Sequence, residues 1–200
     1  MNDVVDEEDK MTQAKAKFDK TILRCKEQIR IYNKLKELKE DSEDLDIAVS
    51  QDILRGAIVL AVAAFDAYAT DCFSEKFVTY IKCKNVDESL INLLDKAGFN
   101  IKFSLELIKS ERPYRKIRTL IERYYSSYTT QRLCVINELF LQYHISKITD
   151  NAARKSEKKT LLSSVEKIIS RRHCIVHDGD YNDFNRINQV RESDIKRIDD

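Results

Sequence analysis

Glycine, proline and tryptophan are scarce in this sequence, whose 200 residues include three glycines, one proline and no tryptophan. Because glycine and proline supply most tight turns, their scarcity argues against a sheet protein built from short hairpins and favours long helices. A strong charge of one sign is also missing, since the net charge is +1. A nucleic-acid partner would therefore have to bind a local basic patch rather than respond to the field of the whole protein.

Several other features are absent as well. The longest apolar run, residues 56–64, is too short to span a bilayer, and the acidic first residues lack the apolar core of a signal peptide. We therefore expect a cytoplasmic protein that does not contact membranes. None of the five cysteines has C-x-x-C spacing, so we expect mostly buried, reduced thiols rather than disulfides or a metal site. No ligand cluster for a metal or cofactor is recognisable.

What the sequence does contain is helical periodicity. Apolar residues recur at spacings of three and four from residue 12 to about residue 39, as on one face of an amphipathic helix. A second long helix is expected over residues 49–82, and its middle, GAIVLAVAAFDAY, is apolar on every face and should be central. Shorter helices follow: one capped by Asp87, one that begins at Pro113, and one over residues 132–148. The last long helix is expected from about residue 155 to residue 177, before the stop formed by Asp178 and Gly179.

These elements predict an all-α protein. We expect an antiparallel helical bundle with two long helices near the N-terminus and a long helix near the C-terminus that carries the motif described below. The length suits one domain over residues 1–200, with an acidic tail at residues 1–9 and a polar extension over about residues 182–200 in which a short helix can form.

An arginine lies where the last helix should be apolar. On a helical wheel Arg172 falls within the apolar stripe, whereas Arg171 falls on the opposite, solvated side. A buried guanidinium without a partner would cost several kcal/mol, so Arg172 needs a buried anion or must face a cleft or a subunit interface. Asp66, which interrupts the apolar run of the second helix, is the anion we predict, in direct bidentate or water-bridged contact. The alternative is that Arg172 extends to solvent and Asp66 is capped locally.

Histidines follow this arginine. His173 is the next residue and His177 lies five residues after Arg172, at the predicted end of the helix. An imidazole can act as a general acid or base near neutral pH. His144 has no such context, and we interpret it as structural or interfacial.

The segment RRHCIVHDGD resembles the R-x4–6-H signature of the HEPN superfamily, and LRGAIVLAVAAFDAYATDCFSEKF resembles its other hallmark, an apolar helix with an acidic residue before Ala-Tyr. The most similar branch is the RiboL-PSP-HEPN and MAE-like HEPN group. The resemblance implies a bundle that pairs as a homodimer, with two copies of the motif in one cleft. It makes Arg172 and His177 the motif pair, His173 the polar residue that follows the arginine, and Asp66 the acidic residue of the earlier helix.

Active members of this family are metal-independent endoribonucleases without a cofactor. The resemblance therefore implies an enzyme that cleaves RNA through its 2′-hydroxyl, as a toxin or phage-defence effector with a possible antitoxin or other defence-system partner. A non-catalytic HEPN module that binds nucleotides or RNA, or docks a partner, is the first alternative. A helical interaction protein, in which Arg172 and His177 serve only the structure, is the second.

Basic residues that could bind the RNA substrate lie among interleaved tyrosines in residues 109–132. The predicted RNA-binding residues are Arg115, Lys116, Arg118 and Arg123, with Arg171 of the last helix. The alternative is a solvated helix face whose tyrosines belong to the core.

Overall fold

The structure, a computed structural model, describes residues 12–39, 47–83, 86–126, 128 and 130–199. Within these ranges the chain forms helices α1 (Gln13–Lys39), α2 (Ile47–Cys83), α3 (Glu88–Lys96), α4 (Ile101–Ile108), α5 (Pro113–Tyr125), α6 (Leu133–Leu141), α7 (Ile148–Lys155), α8 (Leu161–His177) and α9 (Glu192–Asp199). Outside the helices, the only β-type pairing in these ranges is an isolated antiparallel bridge between Tyr181 and Ile187. The predicted all-α class is thus confirmed, whereas the predicted acidic tail lies outside the described residues.

The apolar helix α2 lies at the centre, as its sequence predicts. Its first half packs with α1, α8 and α9 around one group of buried side chains: Cys25, Leu54, Ala57, Ile58, Ala61, Val62, Ile168, Val190 and Ile198. Its second half packs with α3, α5 and α6 around another: Phe73, Phe77, Leu90, Leu93, Ile121, Tyr125, Leu139 and Tyr143. Asp66 falls on α2 between the two groups. A carboxylate therefore occupies the junction of the two cores.

Two predicted helix starts are confirmed by their capping geometry. The Asp87 carboxylate accepts a hydrogen bond from the Leu90 N–H at 2.9 Å, which caps α3. Pro113 occupies the first turn of α5, where backbone N–H groups form no hydrogen bond within the helix, so the N–H that proline lacks is not needed. The stretch that follows Gly98 forms the two-turn helix α4, capped by Asn100.

The single helix predicted over residues 132–148 is wrong. The chain instead forms α6, a turn, and α7, and the backbone of His144 and Lys147 is left-handed, with φ of 57° and 51°. Tyr143 explains the break. Its ring stacks on Phe73 at 4.4 Å between centroids, and its hydroxyl donates to the Phe73 carbonyl at 2.6 Å. Core packing therefore draws the chain away from the helix axis.

The structure refines the last two predicted segments. The last long helix begins at Leu161 rather than near residue 155, because the preceding turn includes Glu157 in a left-handed conformation with φ of 58°. The predicted polar extension contains a short helix, α9, which packs on α1 and α2, and Val190 and Ile198 are buried in the first core. The extension is part of the folded unit.

Two predictions concern membranes and thiols. By length and composition alone, Ser50–Cys83 could cross a membrane, but in this structure it packs among the other helices as a core helix. The cytoplasmic location stays a prediction.

All five cysteines are free, but only Cys25 is buried and Cys83 and Cys134 are exposed, so the expectation of mostly buried thiols is wrong. Burial raises the pKa of the Cys25 thiol above its ordinary value.

Candidate functional site

An open cleft of about 420 Å³ lies where α2, the end of α5 and α8 approach one another. Its lining brings together residues from four parts of the chain: Lys17, Ala63, Asp66, Ala67, Thr70, Asp71, Ser74, Glu122, Tyr125, Ser126, Tyr128, Gln131 and Arg172. Asp66 and Arg172, which the sequence singles out as charges in apolar surroundings, thus share one cleft. Arg172 thus faces a cleft, which is one of the settings that the sequence left open for it.

Asp66 is held by donors from the segment after α5. Its Oδ1 accepts a hydrogen bond from the Thr130 N–H at 2.6 Å and lies 2.5 Å from the Thr130 hydroxyl. That hydroxyl is also 2.9 Å from the Asp66 carbonyl oxygen, and Gln131 Nε2 donates to Oδ2 at 3.3 Å. Thr130 is fully buried. These bonds tie the cleft wall to α2 and fix the orientation of the carboxylate.

Arg172 has no such partners. Its Nε is buried and has no hydrogen-bond acceptor among the described residues. The predicted direct contact with Asp66 is wrong: across the described ranges, no hydrogen bond or ion pair joins Arg172 to the carboxylate, whose oxygens face Thr130 and Gln131. The other cation of the cleft, Lys17, is already paired with Asp71 at 2.7 Å. Arg172 therefore offers unused donors beside an open space.

The histidines of α8 lie on a different face from Arg172. Five residues rotate a side chain by about 140° around a helix and move it about 7.5 Å along the axis. Consistent with this, His177 and His173 are exposed and are not part of the cleft lining. Their rings lie 4.5 Å apart between centroids, one turn from each other. One chain therefore presents the arginine to the cleft and the two imidazoles to solvent.

Arg171 is not on the solvated side, and that prediction is wrong. It donates through both terminal nitrogens to the carboxylate of Asp180, once at 2.7 Å, and its Nε lies 3.8 Å from Asp194. Asp180 reaches this position because Gly179 and Asp180 are both left-handed, with φ of 61° and 63°, so the chain folds back over α8. The charge of Arg171 is neutralised within the fold, which removes the reason for assigning it to RNA.

A second arginine completes this ion-pair cluster and escapes sequence reasoning. Arg55 of α2 is buried, and its Nε donates to Asp180 Oδ2 at 2.7 Å. Burial opposes ionisation of Asp180, but the hydrogen bonds from Arg171 and Arg55 outweigh it and hold the pKa of the carboxyl below its ordinary value. The sequence did contain a signal for Arg55, because this charged residue directly precedes the apolar run of α2, in which Asp66 is also a charged residue. The cluster fixes the end of α8, and with it the place of His177.

The loop that follows α8 and His177 exposes several apolar side chains. In this loop, Asn182 Oδ1 accepts hydrogen bonds from the Phe184 N–H at 2.9 Å and the Arg186 N–H at 3.0 Å. Four large apolar side chains near the end of α8 are exposed, namely Val176, Tyr181, Phe184 and Ile187, which we call the apolar patch. Phe184 is 83 % exposed although its backbone is fixed. Such a surface indicates an interaction site.

The remaining predicted RNA-binding residues divide into two sets. Arg115, Lys116 and Arg123 line a larger groove of about 730 Å³ between α4 and α5. Arg118 does not line it: its Nε donates to Glu122 at 2.7 Å, and a terminal nitrogen lies 3.6 Å from Glu75. Within the described residues, no group of three or more His, Cys, Asp or Glu side chains could hold a metal ion.

Comparison with known proteins bears on the whole of this arrangement. A family model described as RiboL-PSP-HEPN matches residues 23–199. The match includes Asp66, the segment from Arg172 to His177, and the loop that carries the apolar patch. Neither a curated protein nor a solved structure matches the chain.

Proposed function

The chain belongs to the RiboL-PSP-HEPN family, and from that premise we propose that it is a metal-independent endoribonuclease that uses Arg172 and His177. HEPN domains include ribonucleases and modules that bind RNA without cleaving it. The observation that carries the catalytic proposal is Arg172, whose buried Nε has no acceptor within the described residues and which lines an open cleft. A guanidinium with free donors suits a phosphodiester, which offers anionic oxygens in a matching fork.

The chemistry needs only groups that the chain and RNA supply. His177 takes the proton of the ribose 2′-hydroxyl, so that the 2′-oxygen attacks phosphorus and the bond to the 5′-oxygen breaks. Arg172 stabilises the charge on the phosphoryl oxygens as the pentacoordinate state forms. The leaving 5′-oxygen takes a proton from an imidazolium. The products are a 2′,3′-cyclic phosphate and a 5′-hydroxyl, and no step requires a metal ion.

A homodimer supplies the second imidazole, and the proposal requires it to bring His177 of one copy toward Arg172 of the other, because these side chains lie on different faces of α8 within one chain. In-line attack places the base and the acid on opposite sides of phosphorus, so one His177 does not serve both, whereas two copies related by a two-fold axis do. The apolar patch supports an interface at this position, because Val176 precedes His177 in α8 and the loop that follows α8 exposes Phe184. Asp66 anchors the wall of the cleft through Thr130 instead of binding Arg172. His173, whose ring lies tilted 4.5 Å from that of His177 between centroids, positions that ring.

The cellular role that fits this activity is arrest of growth, as a toxin or a phage-defence effector. Cleavage of cellular RNA by a cytoplasmic enzyme is harmful, so an antitoxin or another defence-system partner would restrain it. This role rests on the family premise and on the proposed cleavage.

The test is incubation of the purified protein with total RNA in the presence of EDTA, followed by analysis of fragment ends. We expect cyclic phosphate and 5′-hydroxyl ends from the wild type, and at least a roughly hundredfold loss of cleavage for His177→Ala. Arg172→Ala should lose as much, while His173→Asn should retain cleavage at a lower rate. RNA binding without cleavage by the wild-type dimer would refute the nuclease and favour the non-catalytic module.

A further inference from the structure

We propose that the groove between α4 and α5 binds the sugar–phosphate backbone of single-stranded RNA and leads it toward the cleft that contains Arg172. The identification of the ligand as RNA rests on the proposed function, whereas the preference for a polyanion rests on the groove itself. We call this surface the basic groove. Its cations are Lys102, Arg112, Arg115, Lys116 and Arg123.

The charges of the basic groove are not neutralised by the protein. Five of its lining residues are cations and one, Glu106, is an acid. Across the described residues, none of the five cations forms an ion pair, and all five are exposed. Arg118, on another face of α5, is by contrast paired with Glu122 and Glu75. In a chain with a net charge of +1, this concentration of free cations is a local feature. It matches a polyanion, whose condensed counterions are released on binding.

The basic groove and the cleft share helix α5. Arg123 lines the groove, and the next residue toward the N-terminus, Glu122, lines the cleft. From Arg112 to Arg123 the helix rises by about 16 Å, so a strand that follows these cations is carried along α5 to its C-terminal end. The cleft begins there, at Tyr125 and Ser126.

An aromatic side chain at this end favours single-stranded RNA over a duplex. Tyr128 lines the cleft, is 51 % exposed, and is held edge-on against Tyr125 at 5.3 Å between ring centroids. An exposed ring fixed in this way can stack on an unpaired base but cannot enter a stacked duplex. Phe103 adds an aromatic surface within the basic groove.

An anionic membrane is the competing ligand, because α4 also exposes apolar side chains. Ile101 and Ile108 are 82 % and 80 % exposed and lie on one stripe of the helix. That stripe is about 130° around α4 from the face that carries Lys102 and Glu106 into the groove. A basic amphipathic helix on a membrane has its cations flanking the apolar face. Here they converge on a groove instead, which favours RNA.

The experiment measures binding of a fluorescent single-stranded RNA of about 16 nucleotides to the whole 200-residue chain carrying His177→Ala, so that the RNA stays intact. The groove variant adds Arg115→Glu and Lys116→Glu. The matched control adds Lys34→Glu and Lys36→Glu, an equal change of charge at exposed positions of α1. A second groove variant, Arg112→Glu with Arg123→Glu, serves if the first does not fold.

We expect the groove variant to bind roughly tenfold more weakly at moderate salt and the control to change by less than about twofold. The slope of log K against log salt should flatten by about 1.4, since each lost phosphate contact on a single strand contributes about 0.7. The matching duplex should bind more weakly than the single strand. Equal affinity of the groove variant and the control for the RNA would overturn the proposal. So would a groove variant that loses binding to phosphatidylserine vesicles but keeps its affinity for the RNA.

Failure of the basic groove proposal can be distinguished from failure of the nuclease proposal. If the parent protein with an intact His177 cleaves RNA but the groove variant retains its affinity, only the basic groove proposal fails. If the parent never cleaves while the groove variant loses affinity, only the nuclease proposal fails. A variant without this one tyrosine, Tyr128→Ala, tests the preference for single strands: its affinity for the single strand should approach its affinity for the duplex.

Discussion

Asp66 accepts hydrogen bonds from both the backbone N–H and the hydroxyl of Thr130, at 2.6 Å and 2.5 Å. The two residues are 64 positions apart, and the contact joins the middle of α2 to the segment between α5 and α6. Asp66, which the family resemblance places in the active site, thus also stabilises the fold at the junction of the two cores. This contribution of Asp66 to stability can be separated from a role in catalysis by experiment.

Asp66→Asn should lower the free energy of unfolding by about 1–3 kcal/mol, because one amide oxygen replaces two carboxylate oxygens opposite buried donors. Asp71→Asn is the matched control: it removes an ion pair with the exposed Lys17, for which about 0–1 kcal/mol is expected. Urea denaturation measures both. If Asp66→Asn abolishes cleavage without a change in stability, the carboxylate acts in catalysis and the structural assignment is wrong.

The sequence predicted most of the helices because their apolar periodicity is local. The break between α6 and α7 was missed because its cause, the packing of Tyr143 on Phe73, joins residues 70 positions apart. The predicted polar extension contains few apolar residues, and only tertiary contact shows that Val190 and Ile198 enter the core.

The site was predicted in part for the same reason. A charge inside an apolar run identified Asp66 and Arg172, and both line the cleft. Arg171 was misplaced because a helical wheel has no information about a chain that folds back at Gly179 and brings Asp180 to it. The same rule, that a charged residue beside an apolar run is noteworthy, would have identified Arg55. The sequence around Arg55 does not, however, identify its partner.

Neighbouring arginines should respond in opposite ways to the same substitution. Arg171→Met removes a partner from the buried Asp180 and should lower the free energy of unfolding by about 3–5 kcal/mol. Arg172→Met removes a guanidinium whose buried Nε has no acceptor within the described residues, so stability should stay unchanged or rise by about 1 kcal/mol. Urea denaturation of the two variants decides this. A large loss of stability for Arg172→Met would mean that the arginine serves the fold.

Acid should destabilise the protein in part through Asp180. The folded state holds the pKa of this carboxyl below its ordinary value of 3.8, so its contribution to stability is fully present above that value. The contribution is lost as the pH falls through the folded pKa, because the protonated acid no longer balances Arg55 and Arg171. Denaturation midpoints below about pH 4 should thus depend on Asp180. Asp180→Asn should be much less stable at pH 7 and lose less on acidification, whereas Asp183→Asn, exposed in the same loop, should follow the wild type.

The apolar patch should prove to be the dimer interface. In a two-fold interface each substituted residue counts twice, so Phe184→Ser with Ile187→Ser should weaken association by roughly 4 kcal/mol or more. Sedimentation equilibrium should then show monomers at concentrations where the wild type is dimeric, and RNA cleavage should fall with the dimer fraction. Ile101→Ser with Ile108→Ser is the matched control, since these α4 side chains are as exposed but far along the chain from His177. Dimers that dissociate in the control and persist in the Phe184 variant would move the interface to α4 and leave His177 without its second copy.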